Sequence, residues 1–302
     1  MDKRLVSLVD AAEAGNPQAL TALARVQAMG IYTPRNIVSA LDRLARAASV
    51  DWEDAKRELQ VLARTQSGGS KTLRAAVNVE ALRRPPPRRV LLERPRVRVF
   101  EGFATPAECD WLIERCRARL KRAEVYEDSS TESKHHDGRS NSEADYDVQS
   151  SDVVLSLVQD RIARASGVPV LNFEVPKLLH YTPGQTFGHH TDFLQPGMQH
   201  HIDLNGQRVA TFLIYLSDDY EGGETEFSEV NFKFKARNGD ALMFLNVDAN
   251  GAPDLMSTHA GLPTTRGEKW VLSQWLRGKP VNACQTPDVT GEPLSQDWYR
   301  DA

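Results

Sequence analysis

The chain has 302 residues, 40% hydrophobic and 26% charged, which excludes a disordered polymer and suits about two globular domains. Lys and Arg total 37 against 41 Asp and Glu, a net charge of -4 that argues against coating nucleic acid or an anionic membrane by bulk charge. No apolar run reaches the ~18 residues needed to span a bilayer, and MDKRLVSLVDAAEAGNPQAL lacks the apolar centre of a secretion signal, so the expected location is cytoplasmic.

Residues 1–82 read as an all-α domain, rich in Ala, Leu, Arg and Glu. An offset of 36 residues aligns Leu8 with Leu44, Ala11 with Ala47, Ala12 with Ala48, Ala19 with Ala55 and Leu23 with Leu59. Small residues at such spacing let helix pairs pack closely. The stretch AAEAGNPQALTALARVQAMG resembles a Sel-type, tetratricopeptide-like repeat; a plain bundle with alanine contacts accounts for the same matches. Residues 83–98 carry three consecutive prolines and seven arginines against Glu93, which predicts a stiff, solvated linker.

In FATPAECDWLIERCRARL, Thr105, Pro106 and Glu108 spell a helix start with a capping box, ahead of an apolar stripe of Cys109, Leu112, Ile113, Cys116 and Leu120. Cys109 and Cys116 sit two turns apart, roughly 10 Å, beyond disulfide reach. The polar run 126–147 predicts a mobile surface loop, a lid over whatever site the fold builds. A second helix follows, capped by Ser151 or Asp152. From 172 onward, short β-branched and aromatic runs separated by turn signals predict an antiparallel sandwich or jelly roll. The fold class is therefore α+β.

The chemistry concentrates in LLHYTPGQTFGHHTDF. On an extended backbone, residues i and i+2 share a face with Cα atoms about 7 Å apart. The His190 imidazole and the Asp192 carboxylate can thus converge on one metal, with His259 as the candidate third ligand. Two histidines and one carboxylate leave half of an octahedral ion open, the facial triad of non-haem Fe(II) oxygenases. Lys269, ten residues after His259, is placed to bind the distal carboxylate of a dicarboxylic co-substrate. His189 points to the other face of a regular strand, although a one-residue bulge would reverse that. His135, His136, His180, His200 and His201 read as surface or packing residues, and the acidic DDYE at 218–221 as a solvated turn rather than a calcium loop.

Residues 100–277 resemble the 2-oxoglutarate- and Fe(II)-dependent oxygenases of the prolyl 4-hydroxylase type. The resemblance rests on FATPAECDWLIE, YTPGQTFGHHTD, RVATFLIYLSDDYEGGETEF, NGDALMFLN and THAGLPTTRGEKWVLSQWLR, in that order. It implies a double-stranded β-helix, a distorted jelly roll with flanking helices, over 99–280, with 281–302 as a C-terminal tail. It implies iron on His190, Asp192 and His259, and 2-oxoglutarate on Lys269 with Tyr181 and Thr225 beside it. It also implies a substrate pocket lined by Arg208 and Trp275, and a segment of Arg139, Asn141 and Ser142 next to the lid. The implied cofactors are Fe(II), 2-oxoglutarate and O2, with ascorbate as a candidate addition. The implied reaction couples oxidation of 2-oxoglutarate to succinate and CO2 with hydroxylation of a C–H bond. The implied substrate is a peptide or protein, proline-containing, or else a free amino acid. Phe187 stands where prolyl hydroxylases often carry a tyrosine that contacts substrate. Neither a nucleic acid nor a membrane is an expected partner, and the sequence sets no oligomeric state. Two rival readings are a non-catalytic interaction protein and a metal-binding sensor of the cupin type; neither would release succinate.

Overall fold

Asparagine, proline and glycine punctuate the first eighty residues into helices. The computed structural model describes residues 3–126, 133–134, 138–281 and 292–302. Helices α1 (Lys3–Glu13), α2 (Pro17–Met29), α3 (Ile37–Ala48), α4 (Glu53–Ala63), α5 (Ser70–Ala76) and α6 (Val79–Arg83) follow in order. Asn16, Asn36 and Asn78 each accept a backbone N–H from the first turn of α2, α3 and α6, satisfying donors a helix start leaves open. Consecutive helices pack from α1 to α5. Ala24, Ala28, Ala40, Ala47 and Ala55 are fully buried beside Leu41, Leu44 and Leu59, so the axes can approach closely.

The chain forms two compact units. The first holds the described residues up to Arg84 together with Asp147–Arg164; the second begins at Pro85 and takes the remaining described residues. Helix α7 (Pro106–Arg117) lies in the second unit, and most of α8 (Val153–Ser166) in the first. The sequence reading placed 147–164 inside the catalytic domain. The correction has an electrostatic cause. Asp152 caps α8 through the Leu155 N–H at 2.9 Å, and Glu58 of α4 accepts the Val153 N–H at 2.8 Å. Further along α8, Asp160 pairs with Arg35 and with Arg83.

The second unit is built on antiparallel strands: β1 (Arg88–Glu93), β2 (Arg96–Phe100), β3 (Lys121–Arg122), β4 (Val125–Tyr126), β5 (Ser133–Lys134), β6 (Ser142–Asp145), β7 (Lys177–Tyr181), β8 (Phe187–His190), β9 (Arg208–Tyr215), β10 (Tyr220–Gly222), β11 (Thr225–Phe227), β12 (Phe232–Phe234), β13 (Ala241–Leu245), β14 (His259–Gly261), β15 (Thr264–Gly267) and β16 (Lys269–Arg277). Short helices α9 (Gln199–Asn205) and α10 (Gln296–Asp301) complete it. Eight strands form one sheet in the order β1-β2-β13-β9-β16-β7-β6-β3, and four form a second in the order β12-β11-β14-β8. Val97, Tyr215, Phe244 and Val271 of the large sheet pack with Phe227 of the small one, the Phe227 and Phe244 rings meeting edge to face at 5.2 Å. Two facing antiparallel sheets make this the jelly-roll architecture expected of an α+β chain. No helix among the described residues is long and apolar enough to cross a membrane.

Two further expectations change. Most of the 83–98 segment is a hairpin, not a linker: β1 pairs with β2, and β2 continues into β13. The run of three prolines ends at 87, and the alternation of Arg with Val from 96 onward buries Val97 and Val99 against the core. Arg98 is covered too, paired with Glu93 at 3.2 Å. Of the 126–147 loop, residues 127–132 and 135–137, with His135 and His136, lie outside the described residues. The remainder is partly built into the sheet, since β6 pairs with β7 and buries Glu143 and Ala144. Residues 282–291 of the expected tail also lie outside the description. Beyond them α10 is tied down, the Trp298 indole donating to Ser166 O at 2.9 Å and Arg96 to Tyr299 O at 2.6 Å.

Candidate active site and metal centre

Alternation along three neighbouring strands aims one set of side chains into a single cavity. Lys177, Leu179 and Tyr181 of β7, Lys269, Val271, Ser273 and Trp275 of β16 and Leu213 of β9 line it, and Thr225 of β11 closes it from the small sheet. The cavity is narrow, with a volume of about 40 Å³. The intervening residues turn away: His180 stacks on Trp270 at 3.8 Å and pairs with Glu268 at 3.1 Å.

The small sheet brings His190, Asp192 and His259 together. His259 opens β14 directly across from His190 on β8. One ligand atom from each residue lies within 4.8 Å of the others. His190 Nε2 is 3.6 Å from Asp192 Oδ1, and His259 Nε2 is 3.6 Å from Asp192 Oδ2. Register slips in this pairing, with Phe187 opposite Gly261 and His190 opposite His259. The bulge puts Phe187 and His190, three residues apart, on the same face, their rings stacked at 3.6 Å and 12°. Arg139 covers the other side of Phe187 at 4.2 Å. His189 faces outward and pairs with Glu226 at 3.0 Å.

The donor set fits a divalent cation. His190 Nδ1 meets Gly188 O at 2.8 Å and His259 Nδ1 meets Ser257 O at 3.0 Å. A carbonyl can only accept, so each imidazole carries its proton on Nδ1 and turns a free Nε2 lone pair toward Asp192. Burial, with the facing His259 ring, pushes His190 down to about 3, so it stays neutral at ordinary pH. Burial would raise the Asp192 carboxyl, but His259, His190 and the Thr211 hydroxyl outweigh it and hold the group below the usual range. Two neutral imidazoles and one carboxylate are what a ferrous ion takes in a facial triad.

Across the cavity, Lys269 is 3% exposed and gives one hydrogen bond, to Gly223 O at 2.8 Å. Among the described residues no ion pair reaches it. Burial, reinforced by Lys235 and opposed by Glu224, brings it down to about 7. An ammonium has three donors, so two remain for an anion entering the cavity. Thr225, hydrogen-bonded to the Tyr215 hydroxyl at 2.7 Å, and Tyr181, which burial raises to about 12, stand beside it as neutral walls. Were a keto-diacid to enter, Lys269 would be the cation for its far carboxylate and the triad the site for its keto-acid end.

The substrate-side residues behave less simply. Trp275 lines both the cavity and a wider outer groove of about 400 Å³ that His190 and Asp192 also line. Arg208 reaches that groove, but its guanidinium is clamped by Glu174, with bonds of 2.7 and 2.8 Å, and lies 3.7 Å over the Trp275 ring. It is a platform for the indole. Arg139, 6% exposed, bonds Asn141 at 3.1 Å, Glu124 O at 2.8 Å and Glu143 at 2.7 Å. Sequence reasoning missed Glu174 and the buried pair Thr211 and Asn246 behind Asp192. Thr211 had a signal: it is the single aliphatic hydroxyl inside the apolar run VATFLIY.

Comparison with known proteins agrees with this chemistry. Residues 176–277 match the 2OG-Fe(II) oxygenase superfamily. The chain is 31% identical over 228 residues to probable prolyl 4-hydroxylase 4 of Arabidopsis thaliana, covering 68% of this chain and 76% of that protein. To probable prolyl 4-hydroxylase 9 of the same plant it is 35% identical over 208 residues, covering 63% and 72%. Among solved structures, the viral collagen prolyl hydroxylase of Paramecium Bursaria Chlorella virus-1 aligns at 26% identity over 59% of this chain and 94% of that one, with a TM-score of 0.47. The protein is thus a 2-oxoglutarate-dependent dioxygenase whose cofactors are Fe(II), 2-oxoglutarate and O2. Within that class, the chain belongs to the prolyl 4-hydroxylase family.

His190, Asp192 and His259 would hold Fe(II), and the metal with its co-substrate would supply the oxidising power for C–H hydroxylation. The protein's own residues would do the rest. Lys269 would anchor the diacid and fix which end faces the triad. The apolar walls Leu179, Leu213 and Val271 limit water around it. Phe187, held between Arg139 and His190, fixes the plane of one ligand ring.

Proposed function

We propose that the protein hydroxylates a prolyl residue within a peptide or protein. The carrying observation is the outer groove beside the triad. At about 400 Å³ it falls within the roughly 300–1,000 Å³ of ligand-binding pockets and opens directly onto the triad. Its lining mixes apolar and aromatic side chains, Phe187, Phe193, Leu194, Met198 and Trp275, with charged ones, Lys121, Glu124, Glu143, Asp145 and Lys177. The apolar side chains suit a prolyl ring, and the charged ones suit a peptide backbone with polar neighbours. The names of the Arabidopsis relatives support proline as the residue modified. Phe187 offers a ring face and no hydroxyl, so recognition at that point is by packing.

The test is oxygen-dependent succinate release with proline-containing peptides, with free proline and with no substrate, followed by mass spectrometry for one added oxygen atom. Peptide-stimulated succinate with oxygen on a prolyl ring is the expected result. Stimulation by free proline alone, or an added oxygen on another residue type, sinks the proposal.

The helical unit supports a second part of the reading, recognition of a protein substrate by a tetratricopeptide-like array. Helices α2 and α4 begin 36 residues apart, at 17 and 53, the offset at which the sequence repeats its alanines and leucines. Unchanged turnover of a protein substrate after removal of residues 1–85 would remove that part. A cytoplasmic location is proposed from Cys109 and Cys116, buried as thiols rather than joined in disulfides, and cell fractionation checks it.

A further inference from the structure

Behind the metal centre runs a buried hydrogen-bond relay that the chemistry above does not use. Asp192 Oδ2 lies 2.6 Å from Thr211 Oγ1, and Thr211 Oγ1 lies 3.1 Å from Asn246 Nδ2. Exposure falls along it, from 5% at Asp192 to 1% at Thr211 and 0% at Asn246. Water is therefore excluded at Thr211 and Asn246.

The direction of each bond follows from proton counting. A threonine hydroxyl owns one hydrogen. An amide NH2 can only donate, so Thr211 Oγ1 accepts from Asn246 and must send its own hydrogen to Asp192 Oδ2. With the amide turned round, Asn246 Oδ1 and Asp192 Oδ2 would compete for one proton, and one acceptor pair would face each other unbridged. Asn246 is itself held, its N–H on Val209 O at 2.9 Å and its carbonyl accepting the Asp254 N–H at 2.9 Å. Its Oδ1 is buried without a partner. That orphaned acceptor is a cost the fold tolerates while the NH2 group faces Thr211.

We propose that Asn246 is a positioning residue for the metal centre. Acting through Thr211, it fixes the angle of the Asp192 carboxylate, with Oδ1 toward His190 Nε2 and Oδ2 toward His259 Nε2, each at 3.6 Å. The inference rests on Asp192 being a metal ligand, as in the functional reading above. The Thr211 hydrogen bond occupies one lone pair of Oδ2 and keeps the carboxylate from rotating out of register with the two imidazoles. It also orients the ligand before metal arrives, so the site gives up less freedom on binding.

The test uses the full chain, with Co(II) as an optical probe of the empty site under argon and no turnover. Asn246→Leu keeps the approximate volume and removes the donor. It is expected to weaken Co(II) binding about tenfold, in the range lost when outer ligand-orienting partners are removed. Thr211→Val is expected to weaken it at least as much, and Thr211→Ser to restore it. Because Asn246 acts only through Thr211, the double variant Asn246→Leu, Thr211→Val is expected to bind no more weakly than Thr211→Val alone. A merely structural asparagine would not produce that non-additivity. If Asn246→Leu melts below the assay temperature, Asn246→Asp, of the same shape but without a donor when ionised, takes its place with the same expectation. Wild-type Co(II) affinity in the asparagine variant, or additive losses in the double variant, overturns the proposal. Failure of the wild type to bind Co(II), or binding that survives His190→Ala, overturns the metal-centre reading itself and this inference with it.

Discussion

Each unit buries a charge, and the two charges are treated in opposite ways. In the helical unit Glu58 is fully enclosed, yet one oxygen takes Arg25 at 3.0 Å and the other the Val153 N–H at 2.8 Å, while Arg25 also reaches Asp54 at 2.8 Å. In the sheet unit Lys269 is enclosed to nearly the same degree and has a single carbonyl. A buried ion with its partners in the chain is part of the architecture. A buried ion without them needs a counter-charge from outside, because desolvation is costly unless something repays it. The triad shows the same incompleteness, since His190 Nε2 and His259 Nε2 both converge on Asp192 at 3.6 Å, too far for a hydrogen bond.

The strongest way to break the comparison is at the triad. His190→Ala is expected to cut 2-oxoglutarate-dependent succinate release on the order of 10³-fold, the loss of metal-ion catalysis; retained turnover would mean the convergence is structural. Next is the partnered charge. Glu58→Ala leaves Arg25 short of a carboxylate and the Val153 N–H unsatisfied, and is expected to cost about 3 kcal/mol in denaturant unfolding.

Lys269→Met is expected to do the reverse. It removes a charge that no ion pair among the described residues balances, so the melting temperature holds or rises, while KM for 2-oxoglutarate increases about 100-fold through loss of a charge-assisted pair. A drop in stability with unchanged KM would place Lys269 in the architecture instead.

The smallest effect is on pH. Lys269 sits at about 7 in the free protein, and the diacid favours its charged form. Below that pH the ammonium is already charged. Above it, binding must first reload a proton, so KM for 2-oxoglutarate is expected to rise roughly tenfold from pH 7 to pH 8.5. In Lys269→Met the slope disappears. Titration of 2-oxoglutarate under anaerobic conditions at several pH values reads both.

Much of this was legible because its cause is local. Thr105, Pro106 and Glu108 make a capping box in the sequence and in the structure. The H-x-D spacing, with His259 and Lys269 downstream, marked residues that meet around one cavity. Other features have causes that sequence spacing does not carry. The arginine-rich 88–100 stretch looked like a linker because its charges are obvious. Its role as an edge hairpin depends on Val97 and Val99 finding a core supplied by residues about 140 positions away, reached only by folding. The membership of 147–164 depends on Glu58 and Arg35 reaching it from distant helices.

The sequence by itself determined which chemistry is available, since ligand identity, spacing and strand alternation are properties of neighbours along the chain. Tertiary structure decided which of those groups is free to act. Arg208 and Lys269 look equally available as letters. Only folding brings Glu174 onto the first and leaves the second facing a cavity, because pairing in a desolvated interior is set by what lies within about 3 Å in space.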